Sequence, residues 1–353
     1  MSEVWLRYNM QTSTLPGALS VPDVIRVGME QAAWADSLGF SRLYFGEHHG
    51  SKDSFCPSPL AHAAAFAART SNMRINCLVL LPYHDPVRVA EDTLVLDSIS
   101  DGRAELTVGV GYVQTEMDMF GITLADRGRL MDDKLSVLRR ALQGEKFEHG
   151  DRSIYCTPPS VQKPNPPIYV GGTVKASARR AARLGDGFSP IGMTPELLAA
   201  YVEACRELGD EPGPTLDGNC KIGTFITDDP DKAWAEIGPY FLYHQNSYVD
   251  WTTGAGEMTA QESQPGAADL YKDFISRKMT SIDDLRASGT YGIFTPDEAL
   301  AYSLDQFRHG RLVQIEPLGC GVPADLAWSS LELYASQVLP RLLEQTGGES
   351  VPQ

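Results

Sequence analysis

The chain has 353 residues, 42% of them hydrophobic, and carries 46 acidic against 30 basic side chains for a formal net charge of -16. That is enough apolar material for a large core, and the acidity, with no basic stretch interleaved with aromatics, excludes a nucleic-acid partner. The six cysteines are scattered without paired spacing, the N-terminus lacks a signal-peptide pattern, and no apolar run nears the ~18 residues that cross a bilayer, so a reduced, cytoplasmic protein is expected.

Short apolar runs alternate with amphipathic helical segments. Val4 to Met10 reads as a strand and Pro22 to Leu38 as a helix stopping at Gly39. Strand Arg42 to Phe45, helix Pro59 to Arg69, strand Arg74 to Leu81, helix Pro86 to Ser98, strand Ala104 to Gly109 and helix Asp126 to Leu142 follow. The rhythm continues with Ile168 to Val170 and Lys175 to Leu184, Gly187 to Ser189 and Pro195 to Leu208, then Lys221 to Ile226 and Pro230 to Tyr243. Arg311 to Glu316 and helix Ala324 to Leu343 close it. About eight strand and helix pairs predict an α/β fold, a (β/α)8 TIM barrel, with an open doubly wound sheet as the alternative. No linker or low-complexity tract divides the chain, so residues 1–353 are read as a single domain. One stretch, 246–292, breaks the rhythm with Gly-rich sequence and a helical piece, Ala267 to Lys278. Its length reads as an insertion forming a lid over the barrel mouth, or else as a surface elaboration or subunit contact.

The tripeptide Glu47-His48-His49 falls where the strand Arg42 to Phe45 gives way to a loop, the place where such folds keep their chemistry. A carboxylate beside two imidazoles offers proton transfer near neutral pH, metal ligation, or both. His48 and His49 point in opposite directions if the strand continues. A metal site from His48 and Asp85 is the weaker alternative, and His62, among alanines, reads as a core histidine. Gly109-Val110-Gly111-Tyr112 and Gly171-Gly172-Thr173 follow strands, where glycines admit a flat ligand or a phosphate, but neither is a dinucleotide fingerprint. From Gly172 to Arg180 a glycine turn enters a helix whose first turn offers free N–H groups, the hydroxyls of Thr173 and Ser177, and Lys175. Together these make an anion site, or simply a capped helix with a solvated basic face.

In combination these motifs resemble the bacterial luciferase-like flavin monooxygenase family. The resemblance rests on Glu47-His48-His49, Cys56-Pro57-Ser58-Pro59, Leu80 to Arg88, Leu96 to Arg103, Gly109 to Tyr112, Met119-Phe120-Gly121, Arg127-Gly128-Arg129, Pro166 to Gly172, Ala181 to Gly187 and Thr295 to Glu298. It covers nearly the whole chain outside 246–292. It implies a TIM barrel that binds reduced FMN, or a deazaflavin coenzyme, at its C-terminal mouth. By the same resemblance His48 is the acid/base group, Cys77-Leu78 is the site of a non-proline cis peptide against the flavin ring, and Tyr112 makes a backbone contact to that ring. Gly171, Gly172, Thr173 and Ser177 fall in the family's phosphate loop. Val110 stands where luciferase itself has a phosphate-binding arginine, so either Lys175 or Arg179 supplies the charge or the coenzyme differs. The expectation is a monooxygenase acting with oxygen on a small-molecule substrate, served by a separate flavin reductase because no nicotinamide fingerprint is present, and forming a homodimer. A deazaflavin-dependent oxidoreductase, a non-catalytic flavin-binding protein and a metal-dependent barrel hydrolase are the alternatives.

Overall fold

Period-two alternation along the early strands decides the architecture, because it sends polar side chains to one face and apolar ones to the other. In a computed structural model that describes residues 3–253 and 277–347, β1 (Val4–Arg7), β2 (Arg42–Phe45), β3 (Arg74–Leu80) and β4 (Ala104–Gly109) pair in parallel. A small antiparallel hairpin of β5 (Phe147–His149) and β6 (Arg152–Ile154) precedes β7 (Ile168–Gly171) and β8 (Gly187–Ser189), which extend the parallel ladder. β9 (Gly223–Ile226) and β10 (Tyr291–Phe294) form a separate parallel pair, and β11 (Val313–Ile315) returns to lie beside β1. The main sheet therefore has seven strands in the order β11-β1-β2-β3-β4-β7-β8. Six of them follow chain order without reversal, which rules out the doubly wound alternative, whose order turns at a switch point. The sheet curls, and every strand in it ends on the same rim.

Between the strands run α1 (Val21–Ala35), α2 (Pro59–Ala67), α3 (Pro86–Ser100), α4 (Gln114–Met119), α5 (Arg127–Leu142), α6 (Lys175–Leu184), α7 (Pro195–Leu208) and α8 (Pro230–Thr253). Their starts are written in the sequence: Ser20, Asp85 and Thr194 accept main-chain N–H groups of the first turns of α1, α3 and α7, and a proline opens α2, α3, α7 and α8. Two expectations need correction. The hairpin and β10 were not foreseen, and the stretch 246–292 is not one irregular insertion. α8 continues without a break to Thr253, and Ile282–Ser288 and Tyr291–Phe294 are helix and strand. The rest of that stretch, on which the lid expectation falls, lies outside the described residues.

The outward faces of the strands bury Leu43, Phe45, Ile75, Cys77, Leu106 and Val108 in the main core beneath the helices. The inward face carries charge. Arg42 Nε donates to Glu105 at 2.7 Å, Arg42 also grips Glu3, Arg74 reaches the other oxygen of Glu105, and Trp5 Nε1 donates to Glu3 at 2.7 Å. Thr107 donates to Asn76, which itself faces Glu105. A charge placed there persists only because it is paired. Burial acts to raise the carboxyl pKa of Glu105, but Arg42 and Arg74 outweigh it and hold it below the ordinary carboxylate value.

Replacing Glu105 by Ala leaves Arg42 partly unpaired and should cost about 3–5 kcal/mol of unfolding free energy in chemical denaturation. Because the folded pKa is depressed, the stabilisation from Glu105 is complete above the unfolded carboxylate pKa, near ~4.3, and is lost as pH falls through the folded value. A variant with wild-type stability at neutral pH would disprove this role.

Candidate active site

β2 delivers its loop to the rim at Gly46, where an added Cβ would press on the Asn9 side chain. Glu47 follows and is completely buried. One of its oxygens accepts from His49 Nε2 at 3.0 Å and lies 2.5 Å from His84 Nε2, while the other accepts the Leu80 main-chain N–H. Desolvation would raise its pKa, yet His49, His84 and Leu80 together hold it below the usual carboxylate range. The ends of β2 and β3 are thus fastened through one carboxylate. The ligand atoms of Glu47, His49 and His84 lie within 4.8 Å of one another, compact enough for a metal ion. Here they satisfy each other, and the second carboxylate oxygen is taken by Leu80. Asp85, expected beside His48 in the metal alternative, is not in this cluster; it caps α3 and pairs with Arg152.

The strand does not continue past Phe45, yet His48 and His49 still turn their rings into different surroundings. Its ring lies edge-on to Phe55 and Trp251, both with centroids at 4.6 Å, and Tyr112 and Tyr248 stand at 5.8 Å. Nδ1 is 3.0 Å from Glu116 Oε1, and Nε2 is 3.3 Å from the Tyr248 hydroxyl, which in turn meets that of Tyr112. Glu116, wholly buried on α4, also accepts the His49 main-chain N–H at 2.6 Å and lies 3.5 Å from the Tyr83 hydroxyl. The result is an imidazole in an aromatic sleeve, backed by a carboxylate and open to proton exchange at one nitrogen. Glu116, Tyr248 and Trp251 were missed from the sequence. Val113, Glu116 and Met117 share one buried helical stripe, and Phe241, His244, Tyr248 and Trp251 repeat at three- and four-residue steps. Both patterns were there to be read.

At the end of β4, Gly111 has φ +74°, and a Cβ there would collide with the Tyr83 ring. Arg127, half-buried at the start of α5, donates to the Gly111 carbonyl at 2.9 Å, and burial lowers its pKa. At the end of β7, Gly172 has φ +137° and packs so closely on Ser177 that a Cβ would lie 2.6 Å from its Oγ. Gly171, Gly172 and Thr173 thus lead from the rim into α6. Ser177 does not present its hydroxyl outward: it donates to the Val174 carbonyl at 2.6 Å and accepts the Val174 N–H, closing the first turn. Lys175 and Arg179 are exposed and share a groove with Glu196, Glu203 and Glu207 of α7.

The expected cis peptide is absent: Cys77 and Leu78 are joined in trans, and the cis bonds among the described residues precede Pro158 and Pro164. Both residues sit within an unbroken ladder to β4. Strand alternation also separates the two. Cys77 turns its thiol toward the Pro59 carbonyl of α2, where burial raises its pKa, whereas Leu78 shares the inward face with Asn76.

Comparison with known proteins gives this geometry a family. The model of luciferase-like monooxygenases matches residues 5–290. The chain belongs to that family. The 4-hydroxyprotoasukamycin monooxygenase of Streptomyces nodosus subsp. asukaensis is 29% identical over 239 residues, 62% of this chain and 64% of that protein. The chain spans between half and two-thirds of the length of the curated relatives it matches. Among solved structures, the oxygenating constituent of 3,6-diketocamphane monooxygenase from Pseudomonas putida, in complex with FMN, superposes with a TM-score of 0.67 at 20% identity, covering 97% of this chain and 99% of that one. An F420-dependent secondary alcohol dehydrogenase, bound to an F420-acetone adduct, gives 0.66 at 15% identity, over 97% and 99%. These likenesses show that the luciferase-like chain shares their fold.

Replacing Gly111 by Ala forces a side chain into left-handed backbone and against Tyr83, and should cost about 1–3 kcal/mol. Thermal or chemical denaturation measures it. Unchanged stability would mean that the loop after β4 does not need this conformation.

Proposed function

We propose that this chain is a flavin-dependent monooxygenase that uses reduced FMN and molecular oxygen on a small organic substrate, with His48 as its acid/base group. The observation that carries the reading is the setting of His48, buried among aromatic rings with Nδ1 on a buried carboxylate and Nε2 directed at a tyrosine hydroxyl. Reduced FMN, when bound, supplies the electrons that activate oxygen; the protein's share is to position, to exclude water and to move a proton. Phe55, Trp251, Tyr112 and Tyr248 keep water from the imidazole. His48 Nε2 takes or gives the proton, with Tyr248 as its neighbour. Gly171, Gly172 and Thr173 bring main-chain donors to the phosphate end. Arg127 replaces Lys175 and Arg179 as the proposed cation, since those two face α7 and Arg127 lies at the rim. Leu78 and Tyr112 would line the flavin ring, and Cys77 acts only through the strand it anchors. Ser177 holds the phosphate loop in shape by capping α6.

The same reading takes the chain as a single barrel domain closed through β9. It is supported by parallel bridges between Phe188 and Thr215 and between Asp217 and Arg311, and by a hydrogen bond from Thr224 to the Gln314 carbonyl. It also includes a separate flavin reductase and a homodimer. Exposed Ala61 and Ala65 on α2, Ala68 at its C-terminal cap, and exposed Val95 and Ile99 on the neighbouring α3 form the face that a second copy would cover. The second reading, a deazaflavin-dependent oxidoreductase moving hydride without oxygen, is favoured by the likeness to the F420-dependent dehydrogenase.

Anaerobic titration separates these. Reduced FMN should bind in the micromolar range, riboflavin far more weakly for want of the phosphate, and oxygen uptake should follow on addition of substrate. Tight deazaflavin binding with no binding of reduced FMN would select the second reading, and flavin binding without turnover of any substrate would leave a carrier.

His48→Ala should retain the fold and FMN affinity but lose turnover by roughly 10² to 10⁴-fold, the contribution of a positioned acid or base. Steady-state kinetics beside an FMN titration check this, and full activity would refute the role of His48.

A further inference from the structure

Nothing in the family likeness says how His48 is kept in a working state. The ring has two nitrogens, and only the one without a proton can accept one. Left to itself a neutral histidine side chain favours the form protonated at Nε2. In that form Nε2 would point its hydrogen at Tyr248 and could accept nothing.

Three contacts bear on which form is present. Glu116 Oε1 receives the His49 main-chain N–H at 2.6 Å, the short distance of a bond to a charged acceptor, and the same oxygen lies 3.0 Å from His48 Nδ1. The other oxygen lies 3.5 Å from the Tyr83 hydroxyl. An ionised carboxylate has no hydrogen to give, so the ring nitrogen that faces it must be the donor, and Nδ1 carries the hydrogen. His49 is itself held. Its ring donates to Glu47, which also faces His84 and takes the Leu80 N–H at the end of β3. The main-chain donor that aims Glu116 therefore cannot drift.

The geometry points to Glu116 as the positioning residue that fixes His48 in the Nδ1–H form, with His49 as the clamp that aims Glu116. The proposal deepens the reading of His48 as acid/base and rests on it for its effect on turnover. It does not rest on it for the tautomer itself. Glu116 touches neither substrate nor flavin in this scheme; it acts through the imidazole.

The test uses the full chain labelled with ¹⁵N-histidine, the His48 signals being identified by their loss in His48→Ala. In the wild type the neutral His48 ring should show a protonated Nδ1 and an unprotonated Nε2. Glu116→Ala should shift it toward the Nε2–H form, and Glu116→Asp should restore part of the original pattern. Turnover of Glu116→Ala should fall between roughly 10-fold and 10³-fold, with affinity for reduced FMN unchanged. A wild-type ring in the Nε2–H form, or a tautomer that Glu116→Ala leaves unmoved, overturns the proposal. Should Glu116→Ala fail to fold, Glu116→Asp takes its place, and a smaller share of the Nδ1–H form than in the wild type upholds the proposal while an unmoved tautomer overturns it. A tautomer that shifts while turnover stays constant upholds the positioning role and instead removes His48 from the proposed chemistry.

Discussion

A carboxylate sealed from water must find donors, and this protein meets that demand at three levels of the sheet. Glu105 meets it with two arginines, Glu47 with two imidazoles and a main-chain amide, Glu116 with a main-chain amide and an imidazole. Each solution ties together segments far apart in sequence. The Glu105 group joins β1 to β4 across the interior, the Glu47 group joins the ends of β2 and β3, and Glu116 joins the loop after β2 to the helix after β4. Unpaired, any of the three would be among the most costly groups in the molecule. Paired, they fix where the apolar parts can go.

The arrangement at the rim follows from that constraint. With Glu47 and Glu116 each holding one histidine of an adjacent pair, the two rings are forced apart into different surroundings: His49 against Tyr83 and Phe120, His48 into the aromatic sleeve. Equal chemistry in the sequence becomes unequal chemistry in the fold.

The early strands and helices were legible because local signals agree with tertiary burial there. Caps at Ser20 and Thr194, prolines opening helices, and alternation in Arg42 to Phe45 all say the same thing. The place of His48 at a strand end was legible for the same reason. What the sequence hid was pairing at a distance. No local pattern joins Glu116 to His48 across 68 residues. The later part of the chain misled because its glycine-rich sequence drew attention from the stripe that carries α8 to Thr253, so Tyr248 and Trp251 were assigned to an insertion rather than to the wall around His48. Ser177 was legible as an N-terminal helix residue, but whether its hydroxyl faces out or back depends on Gly172, whose positive φ presses the turn onto it. Cys77 shows the limit of motif transfer: the residue type matches, yet the side chain faces α2.

The hydrogen bond between His48 and Tyr248 spans 200 residues. During synthesis the loop that carries the imidazole leaves the ribosome long before the helix that covers it. Until α8 docks, His48 stands at an open rim, lined on one side only by Phe55 and Tyr112. A nascent or truncated chain that stops short of Tyr248 therefore has the His48 imidazole and the strands through β9 but no water-poor enclosure around that ring. The site matures late, as a long-range closure rather than a local one.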